Sequence, residues 1–213
     1  MTNVKRSGLA LLLLFGSAIA PAAPPSGHYR LVGVHDAASE LILYPDGRFE
    51  YALAYGALDE QAKGHWTREG NTIHLTTEPK PKPALFSAGP AEAVAGAPFT
   101  IKVTSPDGRG LAGVDFRLTF DSGDPIASYT QEYGWSLDPN DKRTPRSITF
   151  AMPMYGLESQ SFPVDVTRAN QLTFILTPND LGTIDFEDLP LAIVKEGVIM
   201  HRGSADLTYV AQH

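Results

Sequence analysis

Leu41-Ile42-Leu43-Tyr44-Pro45-Asp46-Gly47-Arg48-Phe49-Glu50-Tyr51-Ala52-Leu53-Ala54-Tyr55 consists of two runs of alternating apolar residues around a Pro-Asp-Gly turn. Successive side chains on a strand point to opposite faces, so a turn that fixes the pairing also fixes which residues share a face. With Gly47 left-handed, the turn pairs Tyr44 with Arg48 and Leu43 with Phe49. Leu41, Leu43, Phe49, Tyr51, Leu53 and Tyr55 then lie on one face, an arrangement that a one-residue slip would scatter. Turn chemistry and apolar pattern agree, and the segment is predicted to be an antiparallel hairpin with one buried face.

The same logic extends outward in both directions. Gly70-Asn71 forms a two-residue turn that sets Trp66 opposite Leu75 and leaves His65, Thr67, His74 and Thr76 on a polar face. Helical periodicity is nearly absent beyond the first twenty or so residues, while two-residue alternation and turn signals recur, so the chain reads as all-β. Residues 23–78 are expected to form an antiparallel β-meander or small partial barrel. Pro79, Pro81, Pro83, Pro90 and Pro98 fall in a stretch rich in Ala and Gly that reads as an extended linker over residues 79–98. Beyond it, Phe99 to Val103, Val114 to Phe120, Ile148 to Met152, Phe162 to Val166, Leu172 to Leu176, Leu189 to Val194, Val198 to His201 and Leu207 to Val210 are candidate strands. They predict an immunoglobulin-like or transthyretin-like β-sandwich over residues 99–213, with residues 123–146 as a long exposed excursion. Return of the last hairpin to the first sheet would instead make the second domain an insertion.

The chain has 213 residues, no cysteine and a net charge of −7. Disulfides, thiolate metal sites and cysteine nucleophiles are excluded, and the acidic balance argues against nucleic acid or an anionic membrane as partner. Lys5 and Arg6 precede an uncharged, largely apolar run from Gly8 to Ile19, followed by small residues and prolines. This order predicts a secretory signal peptide over residues 1–22 and a secreted or periplasmic protein. About 12 residues of helix rise about 18 Å, short of the roughly 30 Å membrane core, so no integral span is expected after cleavage. Removing residues 1–22 leaves 15 basic and 24 acidic residues, a charge of −9.

Leu43, Asp46-Gly47-Arg48-Phe49, Gly64-His65-Trp66, Gly70 and Ile73-His74-Leu75 give residues 28–77 a pattern that resembles small secreted lipocalin-like β-meander domains. That resemblance implies either apolar ligand binding in a barrel mouth or a structural role, and a full barrel of the kind takes roughly eight strands. Ile101-Lys102-Val103, Asp107-Gly108, Leu111-Ala112-Gly113-Val114, the Phe116 to Phe120 strand, Thr130 and Gly134-Trp135 resemble the regulatory sandwich domains found beside some carboxypeptidases and in exported bacterial proteins. This second resemblance implies a non-catalytic interaction or adhesion module.

Motifs that carry chemistry are missing: no GxSxG elbow, HExxH, phosphate loop, dinucleotide glycine pattern or EF-hand loop occurs. His65 and His74 sit diagonally on the wet face of the predicted hairpin, a spacing from which two imidazoles reach one metal ion, although two ligands do not make a site. Solvent-facing histidines are the plain alternative. The acidic stretches from Asp180 to Asp188 and from Asp138 to Asp141 offer hard oxygens but lack calcium-loop spacing. Phe49, Tyr51, Tyr55 and Trp66 are candidates to line an apolar pocket, with an ordinary core as the alternative. Tyr129, Tyr133 and Trp135 are candidates for an exposed contact surface, or, for Trp135, a plug in the sandwich. No cofactor is expected. The preferred expectation is an exported, non-catalytic binding module whose partner is a protein, a glycan or a small apolar ligand. A lipocalin-like carrier of an apolar ligand and a secreted hydrolase with an interdomain site are the alternatives.

Overall fold

The computed structural model describes residues 26–212; the expected signal segment lies outside them. The predicted first hairpin joins β2 (Ala37–Leu43) to β3 (Arg48–Tyr55) with Leu43 opposite Phe49, as the turn demands, and Gly47 takes φ 85°. Only glycine adopts that conformation without strain. The second hairpin joins β4 (Leu58–Glu69) to β5 (Thr72–Thr77), with Trp66 opposite Leu75. β1 (Gly27–Val32) precedes them.

The chain is all-β, and its last three strands correct the expected domain plan. β6 to β14 follow β5 and form the other sheets, and β15 (Leu189–Val194), β16 (Gly197–Arg202) and β17 (Ala205–Ala211) then return to the meander. β15 pairs with β5 through Leu189 and Leu75, and β17 pairs with β1 through Leu31 and Tyr209. The result is a closed antiparallel barrel of eight strands in which each strand pairs with its sequence neighbours, interrupted once between β5 and β15. Residues 189–211 therefore belong to the barrel, and the sandwich is an insertion. Closure has a direct physical reason: five meander strands would leave two unpaired edges, and the three returning strands pair with both.

Every second residue of the barrel strands points inward. Leu41, Leu43, Phe49, Ile73, Leu75, Leu191, Val198, Met200 and Tyr209 are each 1% exposed or less. Side chains of this size contribute about 1.5–3 kcal/mol each when fully buried. Phe186, from the connector leading into β15, joins them and stands edge-on to Tyr51 with ring centres 5.2 Å apart.

The inserted sandwich comprises β6 (Leu85–Glu92), β7 (Thr100–Thr104), β8 (Asp115–Phe120), β9 (Ile126–Tyr129), β10 (Trp135–Ser136), β11 (Pro145–Met152), β12 (Leu157–Glu158), β13 (Phe162–Pro163) and β14 (Gln171–Thr177). One sheet has the order β10-β7-β14-β6, the other β12-β11-β8-β9 with β13 beside β11. Phe86, Phe150, Phe162 and Phe174 meet between the sheets, the closest pair at 4.7 Å. The expected linker is thus partly strand: residues 85–92 form β6. Prolines are tolerated there because β6 is an edge with one partner, β14, and the ladder slips between Leu172 and Phe174, opposite Gly89-Pro90. Residues 123–146 are likewise not a bare excursion. They supply β9 and β10 and bury Thr130 and Leu137, and the Thr130 hydroxyl donates to the Leu111 carbonyl.

The two connectors are fastened to each other and to the barrel. Thr77 N–H donates to the Phe186 carbonyl, and the Thr77 hydroxyl donates to the Ile184 carbonyl while accepting from Phe186 N–H. Lys80 bridges Asp185 and Glu187, and Lys82 N–H donates to the Asp180 carboxylate. Gln61 on β4 exchanges backbone bonds with Gly182 and Ile184, so the returning connector continues the barrel wall where β5 ends.

Candidate functional site

The outward face of β2 and β3 carries alanine at three neighbouring positions. Ala38 faces Ala54, and Ala52 lies between Glu40 and Gln61 on the flanking strands. Small side chains there leave a hollow where Lys, Thr or Glu would ordinarily cover the sheet. Across it stand Tyr155, from the short 3-10 turn Pro153–Tyr155 of the sandwich, and Leu181 and Gly182 of the returning connector. The cleft between barrel wall and sandwich measures 860 Å³. A second hollow of 390 Å³ continues it past Ile42, Glu50 and Lys63 and shares Glu40, Ala52 and Gln61.

Gly182 is needed at this junction. Its φ of 85° disfavours other residues, and a Cβ would come within 2.9 Å of the Asp59 carbonyl and 3.8 Å of the Tyr155 ring.

The floor is tied down from inside the barrel. Arg202 donates to the Tyr51 hydroxyl at 3.2 Å, Tyr209 lies 2.8 Å from Ser39 Oγ, and Ser39 donates to the Ala52 carbonyl at 2.6 Å. A carbonyl only accepts, so the Ser39 proton goes to Ala52 and the Tyr209 hydroxyl donates to Ser39. Burial pushes the Tyr51 and Tyr209 hydroxyls above the ordinary tyrosine range. Glu60 holds Arg202 at 2.5 Å with its own side chain 8% exposed, and that bond raises the guanidinium further. Buried hydrogen bonds of this kind fix one geometry, because a broken one leaves a buried polar group without a partner.

Charges at the rim are mostly paired: Glu40 lies 3.3 Å from both His28 and Arg30. Asp59, opposite Ala54, is exposed and pairs with no cation among the described residues.

The residues singled out from sequence fall elsewhere. Phe49, Tyr51 and Trp66 are 1%, 2% and 9% exposed inside the barrel, and Trp66 Nε1 donates to the Tyr44 carbonyl. With Phe186 against Phe49 and Tyr51, these rings pack as core. Tyr55 ends β3 and is 54% exposed, outside that cluster. Tyr129 and Tyr133 are exposed, whereas Trp135 packs edge-on against Phe116 in the sandwich at 5.1 Å. His65 lies 3.2 Å from Glu78, and His74 lies 3.1 Å from Asp188 but out of line for a hydrogen bond. Each imidazole thus has its own carboxylate, and among the described residues no three His, Cys, Asp or Glu converge to hold a metal ion. The acidic stretch from Asp180 to Asp188 is engaged in the connector contacts already described. Among the described residues no helix is long and apolar enough to cross a membrane.

Comparison with family models, curated proteins and solved structures gave no match, so function is argued from the residues alone. The cleft was missed in the sequence because its residues come from six separate segments. One signal was available: the hairpin register already placed three alanines together on the wet face.

Proposed function

We propose that this protein is an exported, non-catalytic binding module whose ligand occupies the cleft between the barrel wall and the inserted sandwich. The observation that carries the proposal is the 860 Å³ cleft, floored by Ala38, Ala52 and Ala54 and faced by Tyr155 and Leu181. Concave sites at a domain junction, with a small apolar surface and a few polar groups, are where ligands preferentially bind. The hydrogen bonds from Tyr209 to Ser39 and from Ser39 to the Ala52 carbonyl hold the floor in place before a ligand arrives, which lowers the ordering cost of binding. The eight-strand up-and-down order supports kinship with the lipocalin-like barrels that the meander resembles. The ligand nevertheless belongs outside the barrel, since Phe49, Tyr51, Trp66 and Phe186 pack into its core. Export is supported by the Lys5-Arg6 and apolar-run pattern.

A fragment screen by amide chemical-shift mapping on the whole protein tests this reading. Hits are expected to perturb the amides of Ala38, Ala52 and Gly182 together, and Ala52→Trp is expected to abolish them. Hits confined to the barrel interior, or to Tyr129 and Tyr133, would overturn it.

A further inference from the structure

We infer that the cleft takes a short extended peptide bearing a lysine or arginine side chain, an inference that rests on the ligand site proposed above. Three observations point the same way. Of the carboxylates at the larger hollow, Glu40 is shared by His28 and Arg30 and Glu60 is taken by Arg202, which leaves Asp59 without a cation among the described residues. Asp59 and Tyr155 both line this hollow, and the Asp59 backbone carbonyl and the Tyr155 ring both close on Gly182, so one hollow offers an uncompensated carboxylate and an aromatic ring. A hollow lined by both a carboxylate and a ring favours an ammonium or guanidinium group through ion pairing and cation–π attraction. The barrel segments, residues 26–78 and 182–213, carry 6 basic and 13 acidic residues, so the field around the wall draws cations toward it.

Shape selects a peptide over a free amine. The floor runs from Ala38 to Ile42 along β2, about 13 Å at about 3.3 Å per residue, and spans three strands at about 4.8 Å spacing. Its far end, at Ile42, is the 390 Å³ hollow. That length suits about four extended residues, with the basic side chain at Asp59, small side chains on the alanine floor, and the exposed side-chain amide of Gln61, which lines both hollows, against the ligand backbone. The barrel wall is closed here and presents no free strand edge, so recognition falls to these side chains.

The test is an amide-shift titration of the whole protein with acetyl-Ala-Ala-Lys-Ala-amide, its Gln counterpart and n-butylamine. The lysine peptide is expected to shift the amides of Ala38, Ala52, Ala54 and Gly182 and to weaken with added salt. Asp59→Asn, a surface change, is expected to weaken it about fivefold, the size of one exposed ion pair. Tyr155→Leu should weaken it as well. Equal binding of the Gln peptide would overturn the role of charge, and equal binding of butylamine would overturn the peptide. No binding of any probe while screened fragments still occupy the cleft would sink this inference and leave the ligand site standing; failure of both would remove the site too.

Discussion

The barrel and the sandwich are built from similar strands but assembled differently. The sandwich is one continuous run from Leu85 to Thr177, whose first and last strands, β6 and β14, pair with each other. The barrel joins residues 27–77 to residues 189–211 and closes only when β17 meets β1. Their interiors differ too. The sandwich centres on a cluster of phenylalanines, whereas the barrel core includes a polar chain ending in Arg202 and Glu60. Contiguous elements meet at low entropic cost, and distant ones must first close a long loop. The sandwich is thus the self-sufficient part, and the barrel depends on its far end.

One tryptophan reports on each part: Trp66 lies in the barrel core and Trp135 packs on the sandwich core. The sharpest break in the comparison is truncation after Asp188. Trp66 fluorescence is expected to show an unfolded barrel, since β1 and β5 lose their partners, while Trp135 keeps its native emission. Loss of both signals would mean that the sandwich needs the barrel. Next in size are Phe186→Ala and Phe150→Ala, each expected to cost about 3–5 kcal/mol in chemical denaturation. The first should move the Trp66 transition and the second the Trp135 transition; if either variant moves both equally, the two parts unfold as one.

Glu60→Gln is a smaller perturbation. It strands the half-buried Arg202 and is expected to cost about 2 kcal/mol, on the barrel side only. A cost below about 0.5 kcal/mol would show that water replaces Glu60 freely.

The least effect is a divergence with pH. In the sandwich, Asp141 is lowered to about 2 by the Arg143 side chain, and Asp107, Asp121 and Asp165 are lowered by hydrogen bonds. Lowered carboxylates contribute stability that is complete above their ordinary value and disappears as pH falls toward 2. In the barrel, Tyr29, Tyr51 and Tyr209 are raised by burial. Below pH 10 their contribution is complete, and it is lost as pH climbs above 10, where the unfolded chain ionises first. Acid should therefore lower the Trp135 transition first and alkali the Trp66 transition first; the opposite order would refute the assignment.

These differences also mark what the sequence disclosed. The register of the first two hairpins was legible because Asp46-Gly47 and Gly70-Asn71 fix the pairing locally. Closure was not, because Leu189, Leu191, Val198 and Met200 alternate just as sandwich strands do, and alternation tells which face is wet but not which distant strand is the partner. β6 was hidden by Pro90, which an edge strand tolerates and a central strand does not. Phe49, Tyr51 and Trp66 were correctly placed on one face, but the pattern could not choose between pocket and core; Phe186, more than a hundred residues away, decides that. The cleft was the least legible part, since Tyr155 and Leu181 meet the alanines only through the insertion.

The bond between Thr77 and Phe186 makes that junction a natural splice point. Because the chain leaves and re-enters the barrel through adjoining backbone groups, a few-residue loop from Thr77 to Phe186 would give a bare eight-strand barrel with its wall open to water. A different domain grafted at the same two residues would place a new roof over the same alanine floor. Exchanging the inserted segment is thus a route by which one barrel acquires a different selectivity without a change in any residue of its core.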